Sequence, residues 1–419
     1  MIFVEEQKSH PITRMQVMEA FKSVKANGGS SGVDKVSIDQ VSVNLRKYLY
    51  PLWNRMASGC YFPKAVRQTL IPKGDGKMRA LGIPTVVDRV AQQVIATELE
   101  AIVDKKFSAN SFGYRPNKSA HQAVEQCRIN CMNNSWVIDL DIKGFFDNID
   151  HELLMKAVAF HTDKKHILLY CKRWLEAPVQ LSDGTLKPSE GKGTPQGGVI
   201  SPVLANIFLD IVFDKWMDKN YPEMPFERYA DDIVVHCHTI KIALRLLEAI
   251  KKRFNDCKLE LNREKSKIVY CRFNQKKQPP FKPRYQKFDF LGFTFKPRIV
   301  KARGKIRLGF TPAISQKNIA RISKELFERN FHRWVHFPIS KIAVLLNAQL
   351  RGWLNYYAPF RKSELRKLFR VVNMRLAKWV RNKYRKFRRR PWRLAYRYLQ
   401  GIAKSYPNMF VHWQHGFMP

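Results

Sequence analysis

Phe226-Glu227-Arg228-Tyr229-Ala230-Asp231-Asp232-Ile233-Val234-Val235 places two adjacent acids between two β-type runs. That is the pattern of a hairpin whose tip presents both carboxylates. Neighbouring like charges repel, so a fold that keeps them there needs a compensating cation. Hard oxygen donors favour magnesium, which retains waters and recruits the phosphate oxygens of a substrate. Taken alone, Tyr229–Asp232 is equally an ordinary Asp-rich turn.

A second acidic run, Trp136-Val137-Ile138-Asp139-Leu140-Asp141-Ile142-Lys143-Gly144-Phe145-Phe146-Asp147, strengthens the first. Period-two alternation puts Val137, Asp139 and Asp141 on one face of a strand and Ile138, Leu140 and Ile142 on the other. An acid on such a strand is costly unless it is paired or metal-bound. Asp141 lies nearest the strand's end, but Asp139 shares its face and spacing does not separate them; Asp147 reads as a cap or support for the helix that follows. Three carboxylates from two strands suit a two-metal phosphoryl-transfer site, with ions about 3.5–4 Å apart. In such a site the protein mainly positions and neutralises.

Outward from these runs, short β-type stretches (Val137–Ile142, Ile233–Cys237, Lys267–Cys271) alternate with helical ones (His121–Cys131, Val203–Met217, Ile240–Phe254), predicting an α+β core over residues 65–300. Residues 1–64 read as helical segments around a Gly-rich loop, Asn27–Gly32, assigned as a lid on template or primer. Beyond residue 310 the pattern turns helical. Ile342, Leu345, Leu346, Gln349, Leu350, Trp353, Leu354 and Tyr357 form one apolar stripe, and a second helix is predicted over Ser363–Tyr384.

The 419 residues hold 75 Lys+Arg against 35 Asp+Glu, a net charge of +40. Hydrophobic residues at 45% exclude wholesale disorder, and self-repulsion on this scale points to a polyanionic partner rather than a generally cationic surface. The charge is uneven: residues 301–419 contain 28 Lys+Arg and only three acids, so an enzyme core precedes a segment that grips nucleic acid. No run approaches the roughly 18 apolar residues a membrane helix requires, and the N-terminus lacks an export signal. Seven scattered cysteines, none in a CxxC arrangement, fit a reducing, cytoplasmic setting without a disulfide framework or structural zinc. The cluster His236-Cys237-His238 lies on a strand whose alternate residues face opposite ways, so it is not expected to bind metal.

With both acidic strands in view, the chain resembles reverse transcriptases, specifically the intron-encoded proteins of bacterial group II introns. The resemblance is collinear over nearly the whole length. It runs through Ile71-Pro72-Lys73, Arg79–Arg89, Ser111-Phe112-Gly113-Tyr114-Arg115-Pro116, Gly193–Pro202, Tyr229–Asp232, Leu261–Lys267 and Phe290-Leu291-Gly292-Phe293. It implies a right-hand polymerase with fingers, an antiparallel palm and a helical thumb. It implies Asp141, Asp231 and Asp232 as ligands of two Mg2+ ions, with Mn2+ able to substitute, and so decides between Asp139 and Asp141. Phe146 matches the aromatic gate that excludes a ribose 2′-hydroxyl, and Lys73 and Arg79 match the finger cations that hold the incoming triphosphate. Gln196 matches the element touching the nascent pair and template, in a turn whose glycines permit close approach to nucleic acid. Lys265 matches a proton donor to pyrophosphate, and Phe290–Phe293 the primer grip.

By the same resemblance residues 301–385 form the thumb, or maturase domain X, and residues 386–419 a basic DNA-binding tail. Arg381, Lys383, Arg385, Lys386, Arg388, Arg389 and Arg390 are then expected on phosphates, with Trp379, Tyr384, Phe387 and Trp392 available for stacking. The chain reaches Pro419 without the cysteine-paired HNH endonuclease of many family members, so second-strand cleavage is not expected and primers come from elsewhere, such as replication forks. The partners implied are group II intron RNA, an RNA template with a DNA primer, and target DNA, in a bacterial cytoplasm and without a membrane. The leading function is an RNA-directed DNA polymerase and maturase. The alternatives are a domesticated relative in phage defence, repair or spacer acquisition, and a non-catalytic RNA chaperone.

Overall fold

A computed structural model describes residues 9–72, 78–273, 279, 281–302 and 304–419. The fold divides into two compact units, Met1–Ala123 with Ile138–Ile268, and Val124–Val137 with Val269–Pro419. Among the described residues no helix is long and apolar enough to cross a membrane.

The first unit is α+β, as expected. Its opening helix, Arg14–Asn27, starts at a reciprocal capping box between Thr13 and Gln16. Strands β1 (Val66–Pro72) and β2 (Met78–Ile83) pair antiparallel with Ile71 opposite Arg79. β3 spans Trp136–Asp141, β4 Val179–Gln180, β5 Leu186–Lys187, β6 Phe226–Tyr229, β7 Asp232–Cys237 and β8 Lys267–Tyr270. They form two four-stranded sheets, ordered β2-β1-β4-β5 and β6-β7-β3-β8. The helix predicted over Val203–Met217 is present but interrupted: Ser201–Leu209 and Lys215–Asn220 are α-helical, while Asp210–Asp214 winds as a π-helix. Helix Ile240–Asp256 buries Ala243, Leu246, Ile250 and Phe254 at three- and four-residue spacing.

The Gly-rich loop is anchored by two arginines. Arg89 donates to the carbonyls of Gly28 and Ser30 at 3.0 and 2.7 Å, and Arg67 to that of Ser31 at 2.6 Å. These carbonyls lack helix or sheet partners, and the guanidinium forks supply them.

The second unit is mainly helical, with a three-stranded sheet of β9 (Phe288–Phe290), β10 (Phe293–Ala302) and β11 (Lys305–Ile314) in the order β11-β10-β9. Phe293 packs its ring against Tyr356, Tyr357 and Phe360 at 5.0–5.3 Å, which seats the sheet on helix Ile339–Arg361. That helix buries Ile342, Ala343, Leu346, Leu350, Leu354 and Tyr357. Leu345, assigned to the apolar stripe, is 38% exposed because it flanks the stripe rather than centring it. The next helix is Arg366–Lys383, preceded by a 3-10 turn at Lys362–Leu365.

Two domain limits fall elsewhere than the sequence reading put them. The break after residue 300 cuts β10, whose register with β11 is continuous from Phe293↔Ile314 to Ala302↔Lys305. Residues 386–419 are not a separate tail. They form helices Trp392–Ser405 and Val411–Gln414, and buried Asn373 is bonded to His412, Trp413 and the Phe417 carbonyl at 2.8, 2.9 and 3.0 Å.

Candidate active site and nucleic-acid contacts

β6 and β7 close in a two-residue loop, Ala230-Asp231, with Tyr229 opposite Asp232. The flanking residues Phe226 and Ile233–Cys237 are buried, so the hairpin is pinned by its core side chains; Glu227 is buried against His236, and the tip presents Asp231 and Asp232. β3 lies beside β7 in the sheet and ends at Asp141. Burial pushes the Asp231 carboxyl above the usual carboxylate range; the charge of Asp141 adds to this, and the Arg79 guanidinium opposes it. The charge of Asp141 thus bears on Asp231, and Asp232 is the next residue along the chain. An all-carboxylate donor set whose members repel is one that a hard divalent cation relieves, and these residues fit such an ion.

Asp139, on the same face of β3, has a different neighbour. Its Oδ2 lies 3.2 Å from Lys267 Nζ, with the Asp139 side chain 13% exposed. Lys265, two residues earlier, lies 3.7 Å from Asp141 Oδ2. Lys267 was not singled out in the sequence; its period-two relation to Lys265 was the available signal.

Arg79 donates through Nε to Gln196 Oε1, and Gln196 Nε2 donates to Asp147 Oδ1 at 3.2 Å. Asp147 therefore supports Gln196; it lies inside the short helix Phe145–Asn148, which has no side-chain cap, and the next helix is capped by Asp150 instead. A cleft of about 230 Å³ opens here, lined among others by Gln68, Ala80, Asp147, Lys192 and Gln196. Phe146 is half-buried against Phe145, rings 5.2 Å apart, and Phe145, 2% exposed, fills the core. Lys73 lies outside the described residues.

The glycine after Gln196 serves protein packing, not only a nucleic-acid approach. At Gly197, with φ +117°, an added Cβ would sit 2.5 Å from the Gly82 carbonyl oxygen. The Gln196 carbonyl in turn accepts from the Gly82 amide at 2.7 Å. The turn is laid directly on β2, and a side chain there has no room.

In the second unit the basic run is divided in its employment. Arg381 donates to the Arg388 carbonyl, and Lys383 to the carbonyls of Val335 and Phe337 at 2.7 and 3.1 Å. Both are half-buried, whereas Arg385, Lys386 and Arg388–Arg390 lie on the surface, Arg388 with one Nη donating to the Asn382 carbonyl at 3.3 Å. Of the aromatics available for stacking, Trp379 is core: it is fully buried, its indole N–H donating to the Trp334 carbonyl at 3.0 Å. Tyr384 and Phe387 cluster with Tyr398 at 5.3 and 5.2 Å.

The family description "Reverse transcriptase (RNA-dependent DNA polymerase)" matches residues 71–295, and "Group II intron, maturase-specific domain" matches residues 319–398. Protein YkfC of Escherichia coli is 31% identical over 57% of this chain and 72% of its own length. The group II intron-encoded protein LtrA of Lactococcus lactis is 33% identical over 45% of this chain and 31% of its own. The putative COX1/OXI3 intron 1 protein of Saccharomyces cerevisiae is 32% identical over 48% and 24%. The matches thus span less than a third of either intron protein.

Proposed function

The chain belongs to the reverse transcriptase family, with a group II intron maturase-specific domain behind the polymerase region, and from that premise we propose that it is an RNA-directed DNA polymerase and maturase. It copies intron RNA into DNA from a DNA primer and assists the splicing of that RNA. The observation that carries the reading is that Asp141, at the end of β3, and the Asp231-Asp232 tip of the β6–β7 hairpin belong to adjacent strands of one sheet.

The family works with divalent metal ions, and two Mg2+ are proposed here, held by Asp141, Asp231 and Asp232. Bound there, the ions supply charge stabilisation to the attacking and leaving oxygens of nucleotidyl transfer. The chain's own side chains do the remaining work. Arg79 offers a planar fork to triphosphate oxygens and is kept in place by Gln196, itself steadied by Asp147. Lys265, 3.7 Å from Asp141, is proposed as the proton donor to pyrophosphate. Phe146, half-buried beside the core ring of Phe145, is proposed as the gate against a ribose 2′-hydroxyl. Lys73 is proposed as a second triphosphate contact on the family pattern alone. The surface cations Arg385, Lys386 and Arg388–Arg390 are proposed to lie along phosphates of intron RNA or target DNA.

Primer extension on an RNA template with Mg2+ tests the polymerase, with loss of extension in Asp231→Ala as the expected control. A splicing assay on the RNA recovered with the protein tests the maturase. Absence of extension by the wild-type chain under any divalent metal would overturn the first half and favour a non-catalytic RNA chaperone.

A further inference from the structure

Arg228 immediately precedes the acidic turn, yet its side chain is 0% exposed. It does not reach toward the carboxylates that follow it. Its Nε donates to Asp214 Oδ1 at 2.7 Å and one Nη donates to Asp214 Oδ2, a bidentate pair in which Asp214 is also 0% exposed. The other Nη donates to Asn206 Oδ1 at 2.8 Å and to the carbonyl of Ala230 at 3.3 Å. The backbone is held as firmly: the Arg228 carbonyl accepts from Phe112 N at 2.8 Å, and its amide donates to the Asn110 carbonyl at 2.9 Å.

A buried ion pair adds little to stability, because desolvating both charges offsets most of their attraction. What it does well is select one arrangement, since a fork with fixed geometry is satisfied in only one way. The arrangement at stake is unusual. Ala230 sits at φ +56°, a left-handed conformation costing a residue with a Cβ about 1–2 kcal/mol. Such strain persists only where the surroundings over-determine it. On the other side of the turn, a Cβ on Gly113 would fall 2.5 Å from Ala230 N and 2.9 Å from the Tyr229 carbonyl carbon. The Gly113 carbonyl is bonded at 2.7 Å by the same Asn206 that takes the Arg228 fork. Asp214 closes the π-helical segment Asp210–Asp214, a winding that re-aims side chains relative to an α-helix and recurs at functional sites.

We propose that Arg228, anchored by Asp214 and Asn206, is a positioning residue that fixes the backbone of Ala230 and so aims the Asp231 and Asp232 carboxylates at their divalent cation. The charge of Arg228 is matched by Asp214, so it acts through geometry and not as a counter-ion to the acids. The inference rests on the reading of Asp231 and Asp232 as metal ligands.

Arg228→Lys tests it in the full chain. A lysine keeps the charge opposite Asp214 but lacks the fork that reaches Asp214, Asn206 and Ala230 together. Two readouts are taken on the folded variant: Mn2+ affinity by electron paramagnetic resonance titration with the metal alone, and kcat with KM for the deoxynucleotide in primer extension. Mn2+ affinity or kcat is expected to fall about 10- to 100-fold, the usual effect of removing support behind a metal ligand, with KM for the deoxynucleotide little changed. A lower melting temperature with wild-type Mn2+ affinity and kcat would show a merely structural pair and overturn the proposal. Should Arg228→Lys not fold, Gly113→Ala displaces the same turn from the opposite side, and the same two readouts decide. If the wild-type chain shows no primer extension, the polymerase reading fails while the Mn2+ titration still settles the clamp; if the wild type binds no Mn2+, the clamp fails as well.

Discussion

Lys267 Nζ lies 3.2 Å from Asp139 Oδ2, and this ion pair separates the two acids that share a face of β3. Asp139 is held by Lys267 in a more enclosed setting, whereas Asp141, more exposed and 3.7 Å from Lys265, bears on Asp231. The two acids therefore answer differently to neutralisation. Asp139→Asn leaves Lys267 without its partner in a largely buried setting, at a cost of about 1–3 kcal/mol, and should lower the melting temperature while leaving extension per folded molecule nearly intact. Asp141→Asn relieves repulsion on Asp231, so it should melt no lower than wild type and lose extension. Thermal melts alongside primer extension distinguish the pair; equal loss of activity in both would contradict the division of roles.

Phe145 and Phe146 are neighbours with opposite employment. Phe145→Ala removes a core ring, and a truncation of that kind costs about 3–5 kcal/mol. Phe146→Ala should be far milder in a melt yet admit ribonucleotides to the growing strand. Competition between deoxy- and ribonucleoside triphosphates measures it, and unaltered sugar selectivity would remove Phe146 from the site.

The basic run should split in the same manner. Neutralising Arg385, Arg389 or Arg390 is expected to weaken RNA binding across sequences and to reduce the log–log salt slope by about one for each phosphate no longer neutralised. Neutralising Arg381 or Lys383 instead strips backbone carbonyls of donors and should appear as reduced stability. Filter binding over a salt series, with parallel melts, separates the effects; a slope unchanged by the surface-residue variants would place the phosphates elsewhere.

Acid should loosen the helical unit. Burial holds His412 down to about 3 and, with the nearby Arg375, Lys378 and Arg333 charges adding to burial, His332 down to about 4. An unfolded histidine titrates near 6.5, so below that pH the unfolded chain binds more protons than the folded one. Stability is full above pH 6.5 and falls below it, by about 1.4 kcal/mol per pH unit down to about pH 3 for His412 and by less, down to about pH 4, for His332, whose charged neighbours are screened by solvent. His412→Gln should flatten that decline in a pH series of melts, and an unchanged slope would refute the assignment.

The sequence on its own determined the α+β core, the acidic hairpin, the strand bearing Asp139 and Asp141, and the helical C-terminal region, because alternation, helical spacing and turn chemistry act over a few neighbouring residues. It did not reveal that Asp139 is paired with Lys267, that Arg228 turns inward to Asp214, that Gly197 is packed on Gly82, or that Trp379 is interior. Nor did it show that β10 and β11 belong to one ladder and that the last residues fold back on Asn373. Each of these depends on groups separated along the chain and brought together only by packing. A charged or aromatic side chain looks the same in the sequence whether it faces water, a carboxylate or a carbonyl, and tertiary structure alone chooses its partner.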